Sequence, residues 1–189
     1  MQGRERVQMF MPPTQVAPGK RQPLVLADVY QRYSAYVAAI ASRILGRETE
    51  VEEVVQDVFA AAVSGLRTME DVRQVKGWLA KVTVRTAIRQ LRKRKLREVL
   101  HAFEPANYDC LADSRGGPEE RHLIAEVYRA LDSVPPRQRV PWTLRYVEGE
   151  TVERVAELCE CSPATAKRRI AKAHHLIQRQ MRGHNARQT

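Results

Sequence analysis

The segment TVERVAELCECSPATAKRRIAKAHHLIQ, residues 151–178, constrains this chain more than any other stretch. Val152, Val155, Ala156 and Cys159 follow the i, i+3, i+4, i+7 spacing of an amphipathic helix, and the pattern stops at Glu160. A second helix starts at once. Ser162 is placed to accept a hydrogen bond from an otherwise unpaired N–H of the next turn. Pro163 falls at the first helical position, where its missing N–H is no loss. Ala166, Ile170, Ala173 and Ile177 then share one side, while Arg168, Lys172 and His175 point the other way, flanked by Lys167 and Arg169. No acid lies between Thr165 and Arg182. A helix-turn-helix with a basic second helix fits a duplex groove, short donors near the helix start reading bases and the cations holding phosphates. A solvated basic helix on a bundle is the bland alternative.

The rest of the chain supports a polyanionic partner. Lys plus Arg is 32 and Asp plus Glu is 22 over 189 residues, a formal charge of +10. A hydrophobic content of 43% is enough for compact cores, and no apolar run approaches a membrane span. The start MQGRERVQMFMPP has no apolar signal-peptide core, which leads to the expectation of a cytoplasmic chain. Cys110, Cys159 and Cys161 form no disulfide framework; Cys159 and Cys161 with His174 and His175 are a weak zinc candidate, because Cys-x-Cys is not finger spacing and Cys159 completes an apolar stripe. The expectation is no metal and no cofactor.

The sequence reads as all-α, with two small helical domains on a flexible linker: a mobile leader (1–22), a first domain (23–101), a Pro-, Gly-, Asp- and Ser-rich linker (102–121), a second domain (122–183) holding the helix-turn-helix, and a tail (184–189). In the first domain, Val29, Tyr30, Tyr33, Val37, Ile40 and Ile44 make one helical face that ends at a Gly46 C-cap. The next helix, from Val51 to about Val63, buries Val51, Val54, Val55, Val58, Phe59 and Ala62 and shows Glu53, Gln56 and Asp57 on its other side. A third, from Val75 into RQLRKRKLR, has a core stripe of Val84, Ala87, Ile88 and Leu91. Opposite that stripe lie Trp78, Val82, Arg85, Arg89 and Lys93. Between Lys81 and Arg97 there are eight basic residues and no acid, Arg92 and Arg94 among them, so the run is expected to be unneutralised and to track a single strand. For Trp78 a base-stacking ring and a core tryptophan both remain open. Pro141 is expected to kink the helix that carries Val140, Leu144 and Val147.

From about Leu26 to Met181 this arrangement resembles the extracytoplasmic-function group of bacterial RNA polymerase sigma factors, which retain only the second and fourth conserved regions. VEEVVQDVF (51–59) looks like the helix that contacts core polymerase, which implies that role for Glu53, Gln56 and Asp57. WLAKVTVRTAIRQLRKRK (78–95) is similar to the element that melts and recognises the minus-ten promoter region, implying Trp78, Lys81, Arg85, Arg89, Arg92 and Lys93 as its DNA-binding residues. The loop from Leu66 to Lys76 stands where that family captures a flipped base. LDSVPPRQR and the helix-turn-helix resemble the region that reads the minus-thirty-five element, implying Ser162, Thr165, Lys167, Arg168, Arg169 and Lys172. The family commonly has Asn and Asp where this chain has Arg85 and Arg89, and Gly where it has Glu160.

The resemblance implies a non-enzymatic initiation factor whose partners are core polymerase, through its beta and beta-prime subunits, promoter DNA and, as a further candidate, an anti-sigma factor, with no membrane insertion. Two other classes stay open. A helix-turn-helix repressor or activator would need a sensing or dimerising domain, for which residues 26–97 show no signature. An enzyme acting on nucleic acid would need a catalytic constellation, and no metal-spaced carboxylates or GxxxxGK[ST] loop are found.

Overall fold

A computed structural model describes residues 25–69, 71–100, 108 and 117–188, and among these there is no strand. Seven helices follow one another: α1 (Leu26–Leu45), α2 (Val51–Gly65), α3 (Val75–Leu100), α4 (Pro118–Ser133), α5 (Pro136–Tyr146), α6 (Val152–Leu158) and α7 (Pro163–Gln188). Helices α1, α2 and α3 pack on one another as a first lobe, and α4 to α7 form a second lobe centred on the α5–α7 contact. The expected leader lies outside the described residues, as does most of the expected linker.

Local chemistry sets the helix limits. Asp28 sits in the first turn of α1 and Arg43 in its last, each opposite in sign to the helix dipole there. Gly46 then turns left-handed at φ 69°, and its N–H donates to the Ser42 carbonyl at 2.8 Å. A side chain at Gly46 would also collide with the Tyr128 ring, so the position needs glycine twice over. Helix α4 starts at Pro118, inside the stretch expected to be linker, because proline suits the first helical position and Glu119 and Glu120 face the dipole there. Helix α7 runs on to Gln188, beyond the limit of 183 expected for its domain. Pro141 stands inside α5 and is buried, tolerated within an otherwise continuous helix.

The two lobes are packed together, with α5 against α1 and α3, and α6 against α3. Helix α3 is therefore covered on two sides, which corrects two sequence expectations. Val82, expected on the open face beside the cations, is buried. Arg94, expected in the exposed basic run, is also buried, with its side chain only 5% accessible.

Arg94 belongs to a knot of charge at the lobe junction. Its guanidinium donates to Glu50 at 2.5 Å, to the Leu45 carbonyl at 2.9 Å and to Asp132 at 3.4 Å. Arg139 of α5 enters from the other lobe and donates to the same Asp132 oxygen at 2.7 Å and to the Ile44 and Leu45 carbonyls at 3.2 and 2.8 Å. Tyr108 donates to the second Asp132 oxygen. Carbonyls in the last turn of a helix have no partner within it, so two buried arginines and the end of α1 satisfy one another across the junction. Tyr128 adds a hydrogen bond to the Arg43 carbonyl at 2.7 Å, and burial pushes its phenol up to about 12.

Replacing Arg139 with Met is expected to lower unfolding free energy by about 3 kcal/mol, since it strips donors from buried carbonyls and leaves the charge knot incomplete. Arg43→Met removes only an exposed bridge to Glu148 and is expected to lower it by about 0 to 1 kcal/mol. Urea titration measures both; equal losses would show that the knot does not hold the lobes.

Candidate nucleic-acid interface

Lys81, Arg85, Arg89 and Lys93 stand four residues apart along α3 and therefore form one ridge. Every one of them has a carboxylate. Lys81 pairs with Glu157 at 3.1 Å and Arg85 with Glu160 at 2.5 Å, both acids arriving from α6 and the turn after it. Arg89 pairs with Asp57 and Lys93 with Glu53, each at 3.2 Å, both acids on α2. The expectation of an unneutralised basic run is thus corrected: the acids missing from the local sequence come from two other helices. Arg92, between the paired cations, is exposed.

These bridges lie in water. The Arg85 and Glu160 side chains remain 66% and 55% accessible, so each pair contributes at most about 1 kcal/mol. A phosphate backbone, with its denser charge, competes well against such partners. The hydrogen bond from Lys93 holds the Glu53 carboxyl below its usual range, aided by one from Gln90 at 2.7 Å. Glu157 is held down likewise, first by Arg154 and then by Lys81. Both acids thus stay ionised as pH falls toward the ordinary carboxylate range, and the bridges persist there.

Of the three residues expected to contact polymerase, Glu53 and Gln56 are exposed and Asp57 is half-buried, all on the outer side of α2. Gln56 donates to Glu52 at 3.2 Å, whereas Glu53 and Asp57 lean onto α3. That acidic face and the basic ridge are therefore one continuous surface. Trp78 is half-buried against the core, and its ring fills the space beside Gly65 where any side chain would collide. This placement is the core-tryptophan reading, with one part of the ring still open to solvent.

In the second lobe, Thr151 caps α6 by accepting the Arg154 N–H at 3.2 Å. At the other end, Cys161 N–H donates to Ala156 O at 2.9 Å and Glu160 N–H to Glu157 O at 3.3 Å, the paired closure of a Schellman turn. Glu160 takes its left-handed position at φ 50°. Ser162 then caps α7 as its sequence position implies: its Oγ accepts the Thr165 N–H at 3.2 Å and donates to the Thr165 hydroxyl at 2.9 Å. Ala166, Ile170, Ala173 and Ile177 are buried under α7, and Lys167, Arg168 and Lys172 are exposed above it. Arg169 is half-buried and turns toward α3, where with Arg85, Arg89, Arg92 and Arg137 it lines a cleft of about 490 Å³ between the lobes.

The cysteine pair does not resemble a metal centre. Burial pushes the Cys159 thiol up to about 12, and among the described residues no group of three or more His, Cys, Asp or Glu side chains is arranged to hold a metal ion. Both His174 nitrogens are engaged, one 3.4 Å from the Trp142 indole nitrogen and the other 2.9 Å from the Gln178 amide.

Comparison with known proteins divides the chain along the same line. The family model Sigma-70 region 2 matches residues 29–97, and Sigma-70, region 4 matches residues 124–173. RNA polymerase sigma factor SigV of Bacillus subtilis is 28% identical over 142 residues, covering 75% of this chain and 82% of that protein. The ECF RNA polymerase sigma-E factor of Haemophilus influenzae is 28% identical over 156 residues, covering 78% and 82%. Among solved structures, the sigma factor RpoE of Bartonella quintana, in complex with the anti-sigma factor NepR, aligns at a TM-score of 0.60 and 22% identity over 82% of this chain and 96% of that one. CnrH, in complex with the cytosolic domain of CnrY, aligns at 0.53 and 20% identity over 84% and 88%. Both share this fold.

A left-handed backbone at a residue with a Cβ costs about 1 kcal/mol relative to glycine. Glu160→Gly is therefore expected to be more stable than Glu160→Ala by about that amount, since both lose the Arg85 bridge and only glycine relieves the turn. Thermal or urea unfolding decides it; an alanine variant as stable as the glycine one would show that the turn is unstrained.

Proposed function

Because the chain belongs to the extracytoplasmic-function group of RNA polymerase sigma factors, and so is a transcription initiation factor that directs polymerase to promoters, we propose that its surfaces divide the work as follows. Glu53, Gln56 and Asp57 on α2 dock on core polymerase, through the beta and beta-prime subunits. The α3 ridge of Lys81, Arg85, Arg89, Arg92 and Lys93, with the open part of Trp78, takes the melted minus-ten strand. The start of α7, with Ser162, Thr165, Lys167, Arg168, Arg169 and Lys172, enters the major groove at the minus-thirty-five element. The observation that carries this reading is that the two basic helices fall one in each matched region, on separate lobes.

The role is non-catalytic. Polymerisation belongs to the partner, and the factor contributes binding energy alone. Melting follows from capturing unstacked bases that only the open promoter offers, because a ligand shifts an equilibrium only by its different affinity for the two states. The turn between α2 and α3 is the candidate place for that capture. The domain division follows that of the matched regions. A cytoplasmic, nucleoid-associated location accords with the partners, and among the described residues no helix is long and apolar enough to cross a membrane. An anti-sigma protein is a further proposed partner, since RpoE was solved in complex with the anti-sigma factor NepR.

Arg168 is exposed on α7, in the second lobe, whereas α2 belongs to the first. Arg168→Glu is expected to weaken binding to minus-thirty-five duplex by about 10- to 100-fold while leaving affinity for core polymerase within about twofold. Fluorescence anisotropy with duplex and with labelled core enzyme reads both, and parallel loss of the two would contradict the division of labour.

A further inference from the structure

We propose that α6 and the turn after it mask the minus-ten surface in the free protein: Glu157 and Glu160 occupy Lys81 and Arg85 in the place of DNA phosphates, and the ridge opens only when the lobes part. The inference rests on the assignment of the α3 ridge to the promoter strand. Four observations support it. The ion pairs join the two lobes, whereas the other two pairs of the ridge, Arg89 with Asp57 and Lys93 with Glu53, stay within the first lobe and survive any separation. Glu157 is aimed by a second cation, with Arg154 holding its other oxygen at 2.6 Å. Glu160 keeps a carboxylate at φ 50°, a backbone position that glycine fills without strain, and that carboxylate reaches Arg85. Finally, the Arg94–Asp132–Arg139 knot and the Arg43–Glu148 bridge hold α5 against the first lobe, which fixes α6 over the start of the ridge.

The mask is selective. It covers the N-terminal half of the ridge and leaves Lys167, Arg168 and Lys172 of α7 exposed. Its pairs are themselves exposed and individually weak, so it biases the free protein against single strands without locking it. Docking on a large partner that holds the lobes apart would release Lys81 and Arg85 together, at the moment when the strand they bind becomes available.

Free full-length protein is titrated against a short fluorescein-labelled single-stranded DNA at low salt. Glu157→Gln/Glu160→Gln is expected to bind about three- to tenfold tighter than Glu120→Gln/Glu153→Gln, a control with the same change of net charge at positions outside the two bridges. Equal affinity of the two double variants would overturn the mask. Adding Lys81→Ala/Arg85→Ala to the unmasked protein separates the underlying assignment from the inference: the gain is expected to disappear. A gain that persists would mean the strand binds elsewhere, and the reading of α3 would fall.

Discussion

One oxygen of Asp132 receives two guanidinium groups, Arg94 of α3 and Arg139 of α5, and both of these also cap the end of α1. The rest of the architecture depends on this junction. Without it, α5 loses its buried polar anchor on the first lobe, and only exposed ion pairs are left to set where α6 comes to rest. Because the groups are buried, they are weakly screened and their geometry is demanding, so the junction specifies one arrangement of the lobes and not merely their proximity. The surrounding apolar contacts add area but little direction.

Charge at the surface follows from that arrangement. Helix α3 carries a strongly basic sequence, and the fold surrounds it with acids from α2 on one flank and α6 on the other. Exposed pairs of this kind contribute little to stability. Their larger effect is on binding, because each cation that must serve a phosphate first has to leave a carboxylate. The two flanks differ in a way that matters for a factor that works on a larger enzyme. The α2 acids are part of the same lobe as the ridge, whereas the α6 acids travel with the helix-turn-helix. A rigid movement of one lobe therefore changes the electrostatic character of the other without any local rearrangement.

Much of this was legible in the sequence. Gly46 after an amphipathic stripe marked the end of α1, and Ser162-Pro163 marked the start of α7, because capping is a local matter decided within one turn. The exposure of Lys167, Arg168 and Lys172 followed from periodicity alone. What sequence periodicity missed is tertiary. Val82 and Arg94 are both buried, and a helix packed on two sides has no single apolar stripe. The partners of the basic ridge, at Asp57, Glu53, Glu157 and Glu160, were invisible for the same reason: a run without local acids says nothing about acids brought in from separations of 32 to 76 residues. Tyr128 lies in no quoted motif, and Arg139, although it ends LDSVPPRQR, carries no local sign that it ties the lobes together.

The central claim is that the free protein is closed and that polymerase opens it. The direct measurement is the distance between spin labels at Arg73, ahead of α3, and Arg179, on α7, by pulsed electron paramagnetic resonance, in protein whose Cys110, Cys159 and Cys161 are replaced by alanine. A single short, narrow distribution in the free chain and a distinctly longer one when bound to core polymerase is the expected result. A distribution already broad and long in the free chain, or one unchanged by polymerase, would contradict the account.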